Sequence, residues 1–187
     1  MARNLKSSDT VLLAIEFLIL TAARSGEVRG ATWSEFDLEA GAWSIPADRM
    51  KAGRGHRVPL SDRAIEILRT MSSVRRTSEP GDFVFEGKKV GRPLSDMSLT
   101  MPIRRADIPI TMHGFRSSFR DWCAEATNTP REIAEACLAH SVRDAAEAAY
   151  ARTDHFDKRS ILMQSWSNFC TGGDADCKVV LIKGQAR

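Results

Sequence analysis

The chain has 187 residues, with 27 Lys and Arg against 24 Asp and Glu, four Cys, a single Tyr, 43% hydrophobic and 27% charged residues. That length suits one globular domain, and that composition excludes a disordered, collagen-like or fibrous chain. The net charge of +3 does not by itself single out a polyanion partner, but it is unevenly spread: residues 51–120 hold 14 basic and 7 acidic side chains, while both flanking segments are slightly acidic.

Residues 1–9 carry Arg3, Lys6 and Asp9 and lack the apolar stretch and small-residue cleavage site of a signal peptide. Asp9 is placed to cap a helix over residues 10–23, apolar on nearly every side and so expected at the centre of the domain. Its apolar run is interrupted by Glu16 and is too short to cross a bilayer, so the chain reads as cytosolic. A short helical turn with Glu27, Val28 and Arg29 follows Arg24. The period then changes: residues 36–38, 42–45 and 56–60 read as three short strands, turning at Ala40-Gly41 and in the loop 51–55, which gives a small antiparallel sheet. Ser61 opens another helix, and a Glu79-Pro80-Gly81 turn leads into the apolar segment 83–85. Beyond Pro93 the pattern is helical over residues 95–106, 113–127, 130–139, 143–152 and 156–169, with Thr129 to Glu132 read as a capping box that has Pro130 at the first helical position. Residues 171–187 offer only 179–182 as apolar material and are expected to form a tail with at most one added strand. The expected class is α+β, predominantly helical: a helix bundle carrying a small three-stranded antiparallel sheet.

Several chemistries are unsupported. The sequence holds no Walker-type or Rossmann glycine motif, no H-E-x-x-H and no G-x-S-x-G, and its acidic residues are scattered, so neither ATP, a metal nor another cofactor is expected. Cys123, Cys137, Cys170 and Cys177 contain no C-x-x-C and read as reduced, mostly buried thiols.

What remains is a set of cationic and imidazole side chains at the ends of elements. His113 and Arg116, three apart at a helix start, suit either a phosphate grip or a solvated helix terminus. Arg24 supplies a second guanidinium where the first helix ends, with Glu27 within reach to orient it; a plain helix-end arginine is the other reading. Lys51, in a glycine-bearing hairpin loop, is either a proton donor or an exposed lysine. His140 follows a helix, and Tyr150, the chain's one tyrosine, stands ten positions later among small alanines. A phenol with its ordinary pKa near ~10 attacks only where cations or a base draw off its proton, and packing is the alternative use for this ring.

Taken in order, the segments TAARSGEVRGATW, DRMKAGRGHRVPLS, HGFRSSFRDWCAE, CLAHS and AAYAR resemble the catalytic domain of tyrosine recombinases, specifically the integrases of temperate phages and genomic islands. The resemblance runs from about Thr10 to Phe169 and includes the closing RSILMQSWSNF. It implies a catalytic domain over residues 1–170 with a tail over 171–187, and a fold of that family. It implies that Tyr150 attacks a DNA phosphodiester to give a 3′-phosphotyrosyl link, that Arg24 and Arg116 clamp the non-bridging oxygens, that Lys51 protonates the leaving oxygen, that His113 assists proton transfer, and that His140 bonds the phosphate, with Glu27 as accessory acid. Arg54, Arg57, Lys88, Lys89, Arg92, Arg104 and Arg105 would meet the backbone of double-stranded DNA. The implied setting is the bacterial cytoplasm at the nucleoid, in prophage or genomic-island integration and excision, with a homo-oligomer forming on DNA and no membrane partner. Such integrases carry arm-binding and core-binding domains ahead of the catalytic one, and about nine residues precede the first helix here, so an isolated catalytic domain is expected. The alternatives are a catalytically silent DNA-binding remnant of a truncated integrase and a relaxing topoisomerase with the same chemistry.

Overall fold

The computed structural model describes residues 7–140 and 154–173. Helix α1 spans Ser7–Thr21. It begins three residues earlier than expected, so Asp9 lies in the first turn rather than at the cap, where its carboxylate still faces the positive end of the helix dipole. Ala14, Phe17, Leu18 and Leu20 of α1 are buried, as an all-round apolar helix requires. A short α2 (Ser25–Arg29) follows.

The expected sheet is present. Strands β1 (Phe36–Asp37), β2 (Ala42–Ile45) and β3 (His56–Pro59) pair antiparallel in the order β1-β2-β3, with Phe36 opposite Trp43 and Trp43 opposite Val58. The first strand stops one residue short of the expected end because Asp37 Oδ1 accepts from the backbone N–H groups of Glu39 and Ala40, and Gly41 then takes the positive φ (+58) that closes the turn.

Ser61 caps α3 (Asp62–Ser73) by accepting from the Ala64 N–H, and Ser95 caps α4 (Asp96–Arg105) by accepting from Ser98. Helices α5 (Gly114–Ala126) and α6 (Arg131–Cys137) follow, and α7 (Phe156–Thr171) closes the described chain. The capping box expected at Thr129 does not form. Helix α6 starts one residue later, Pro130 occupies the cap position without a side-chain bond, and Thr129 N–H is spent on Thr127 Oγ1. The expected helix over 143–152 lies outside the described residues, as do Cys177 and most of the proposed tail. Thr171, assigned to that tail, belongs instead to α7, which runs on until Gly172 adopts φ +70. Cys123 and Cys137 are buried free thiols, whereas Cys170 is exposed.

Two apolar cores meet along α1. One gathers α1, the sheet, α3, Val84, Phe85 and Leu99, with Phe17 in ring contact with Phe36, Trp43 and Phe85. The other joins Phe119, Trp122, Ile133, Leu162 and Trp166 of α5, α6 and α7 to Ala22. Ile19 packs against both, and its carbonyl accepts from Trp166 Nε1 at 2.8 Å. The two cores therefore come together at the C-terminal end of α1, next to Arg24.

Candidate active site

Ala22 turns into the left-handed region (φ 48), and the chain leaves α1 in extended form to place Arg24 at the N-cap of α2 (φ −80, ψ 150). An arginine side chain cannot accept a hydrogen bond, so the cap is completed from the other side. The Glu27 carboxylate takes the Arg24 backbone N–H on Oε2 at 2.8 Å and the guanidinium Nη1 on Oε1 at 2.7 Å. Glu27 is buried and Arg24 is 28% exposed, so a buried carboxylate fixes a side chain that remains partly open to solvent. The orienting role expected of Glu27 has its geometry here.

Arg116 sits in the first turn of α5 and is 4% exposed. The turn approaches its neighbours closely: a Cβ at Gly114 would lie 3.0 Å from Ile110 Cγ1. Arg116 Nη1 donates to the Ala22 carbonyl, and Nη2 donates to the Leu138 carbonyl at 2.7 Å and lies 3.3 Å from His140 Nε2. Both carbonyls belong to C-terminal ends of helices, α1 and α6, where a cation is favoured. A guanidinium has five N–H donors. Nε is buried with no partner among the described residues. Burial, followed by the charge of Arg24, pulls Arg116 down to about 10 against the opposing pull of Glu27, which leaves it protonated at neutral pH. The charges of Arg24 and Arg116 thus oppose each other with the Glu27 carboxylate as partner, an arrangement that a bound anion relieves.

His140 follows the end of α6. Its Nδ1 is 2.6 Å from Glu135 Oε2, while Glu135 Oε1 takes Arg120 Nε at 2.9 Å. Burial opposes ionisation of Glu135, but the hydrogen bond to His140 and the charges of Arg120, His140 and Arg131 together hold its carboxyl below the ordinary value.

Arg24, Glu27, Arg116 and His140 are therefore brought together. His113 is exposed at the N-cap of α5, and Lys51 is exposed midway along the β2–β3 connection (residues 46–55); the bonds that tie Arg24 to Glu27 and Arg116 to His140 include neither. Tyr150 lies outside the described residues. Arg54, Arg57, Lys88, Lys89, Arg92, Arg104 and Arg105 are all exposed, and Arg57 lies 3.6 Å over the Phe156 ring. Among the described residues no three His, Cys, Asp or Glu side chains group as metal ligands.

Three residues behind this site were not singled out in the sequence. Glu135 is one. His56 Nε2 is 3.3 Å from the Cys137 carbonyl, joining β3 to the end of α6. Arg159 of α7, 2% exposed, donates to the carbonyls of Asp154 (3.3 Å) and Arg57 (2.5 Å), so it fastens the chain just after the undescribed segment to β3. The sequence signal for Arg159 is a charge on the inward face of a helix that also buries Leu162, Met163 and Trp166.

The model of the phage integrase family matches residues 2–155. Prophage integrase IntA of Escherichia coli is 33% identical over 160 residues, covering 84% of this chain and 38% of that protein. The integrase of Shigella phage Sf6 is 32% identical over 161 residues, covering 84% and 41%. The chain thus spans about two-fifths of the length of these curated relatives. Among solved structures, the Tn1549 transposon integrase in complex with circular intermediate DNA shares the fold, with a TM-score of 0.50, 17% identity, and coverage of 81% of this chain and 60% of that one. With its three-stranded sheet, its convergent arginines and a family match over most of its length, the chain belongs to the phage integrase family.

Proposed function

We propose that this chain is the catalytic domain of a site-specific DNA recombinase, over residues 1–170, which cleaves and rejoins duplex DNA through a 3′-phosphotyrosyl intermediate on Tyr150. The observation that carries the reading is that Arg116, in contact with His140, lies within range of the charge of Arg24, which Glu27 holds in place. In this reading the Tyr150 oxygen attacks phosphorus and the bond to the 5′ oxygen breaks. His113 assists removal of the phenolic proton, and Lys51 delivers a proton to the departing oxygen. Arg24 and Arg116 neutralise the charge that builds on the non-bridging oxygens, and His140 adds a hydrogen bond. The phosphotyrosyl bond conserves the energy of the one broken, so rejoining needs neither ATP nor metal.

Double-stranded DNA is the proposed partner, approached through the exposed cations of residues 51–120. Oligomer formation on that DNA, in prophage integration and excision, belongs to the same reading. The Tn1549 integrase, whose fold the chain shares, was solved with DNA bound. Among the described residues no helix is long and apolar enough to cross a membrane. The ordered Arg24–Glu27 and Arg116–His140 pairs argue against a catalytically silent remnant. The test is a duplex nicked beside the scissile phosphate: wild type is expected to become covalently attached to it, and a Tyr150→Phe variant is not.

A further inference from the structure

We propose that Glu135 is a positioning residue for His140, holding the imidazole with its proton on Nδ1 so that Nε2 is the nitrogen presented to Arg116 and to the phosphate. This rests on the reading of the site as a phosphodiester-cleaving centre.

The pairing is built by the way α6 ends. Leu138 is the C-cap, and Ala139 takes a left-handed conformation (φ 48). The His140 N–H then donates to the Glu135 carbonyl at 3.1 Å, and the Ala139 N–H to the Ala136 carbonyl at 3.2 Å. These are the two bonds of a Schellman motif, a helix ending that sets the side chain after the left-handed residue against one in the last turn, commonly as an apolar contact. Here the two positions are an imidazole and a carboxylate. Glu135 therefore holds His140 twice, by its main-chain carbonyl and by Oε2.

The proton positions follow from the partners. A carboxylate only accepts, so the 2.6 Å contact places a proton on Nδ1. A guanidinium only donates, so Nε2 accepts from Arg116 Nη2 in the neutral ring. With Nδ1 committed, any proton the ring takes up or gives away passes through Nε2, on the side of the two arginines. The charged groups around this pair are Arg116 and Arg120 from α5 and Glu135 and Arg131 from α6. Arg120 and Arg131 approach Glu135 Oε1 at 2.9 and 3.8 Å, which keeps Oε2 for the imidazole.

The experiment compares wild type, Glu135→Ala and Glu135→Gln in single-turnover cleavage of the nicked duplex, with DNA affinity measured separately and the His140 ring nitrogens followed by 15N NMR, assigned with His140→Gln. Glu135→Ala is expected to slow cleavage at least about tenfold at unchanged DNA affinity and to move the ring toward the Nε2–H form. Glu135→Gln, whose amide oxygen still accepts from Nδ1–H, is expected to recover most of the rate and keep the Nδ1–H signature. A wild-type rate in Glu135→Ala overturns the role, as does an equal loss in both variants with an unchanged ring signature, which marks a structural effect only. A wild type that forms no adduct instead overturns the reaction itself, and this role with it.

Discussion

Arg116 Nη2 donates to the Leu138 carbonyl at 2.7 Å and lies 3.3 Å from His140 Nε2, so one guanidinium group caps a helix and touches the candidate phosphate ligand at once. Because Nη1 serves the Ala22 carbonyl in the same way, Arg116 closes the C-terminal ends of both α1 and α6. Truncation then has two separable effects. Arg116→Ala leaves two buried carbonyls without donors and is expected to cost about 2–4 kcal/mol in urea denaturation. Arg116→Lys, which keeps a charge but not the planar fork, is expected to recover part of that stability while strand cleavage stays at least about 100-fold down. A lysine variant with full cleavage would contradict the bidentate role.

Glu27 uses one carboxylate oxygen for the Arg24 main chain and the other for its guanidinium. Glu27→Gln offers one accepting oxygen where two are used, so Arg24 loses either its cap or its orientation. The expected result is a fall in cleavage rate of about tenfold or more, with a smaller change in DNA affinity, because misplacing a clamp costs most in the transition state. Pre-steady-state cleavage with parallel binding titrations separates the two.

Arg104 and Arg105 occupy the last turn of α4 and are exposed. If they meet phosphates, replacing both by Gln should lower affinity about equally for any DNA sequence and reduce the slope of log affinity against log salt by about 2. An unchanged slope would remove that turn from the DNA surface.

His56 gives the fold an acid sensitivity of its own. Burial, then the charge of Arg159, lowers its imidazole to about 4 from 6.5; Arg116 adds to the fall, and the Cys137 carbonyl and Glu27 resist it. The folded value lies below the unfolded one, so between about 6.5 and 4 the unfolded chain binds a proton that the folded chain refuses. The stability tied to neutral His56 is thus present above pH 6.5 and is lost as pH falls toward 4, with a slope of at most about 1.4 kcal/mol per pH unit. His56→Gln, which keeps an N–H for the Cys137 carbonyl, should flatten the melting temperature across that window relative to wild type.

Much of this was legible from residue order. The strands around Trp43 and Val58 and the buried α1 follow from apolar periodicity, and Ser61 and Ser95 announce their helices as caps. Arg24, Arg116 and His140 stand out in the sequence by their place at element ends. What stayed hidden depends on distant partners. Nothing local to Glu135 says that a left-handed Ala139 will bring it onto His140. Nothing local to Arg116 says that carbonyls 94 and 22 residues away will bury it. Thr129 shows the opposite error, a sound local signal for a cap that lost its role when the helix began at Arg131.

The central claim is that Tyr150 becomes covalently joined to DNA. Incubation of the wild-type chain with a duplex nicked beside the scissile phosphate, followed by denaturing electrophoresis, is expected to give a protein–DNA adduct that carries the 3′ phosphate and is absent from Tyr150→Phe. An adduct formed equally well by Tyr150→Phe, or cleavage by wild type with no protein attached to the cut end, would contradict it.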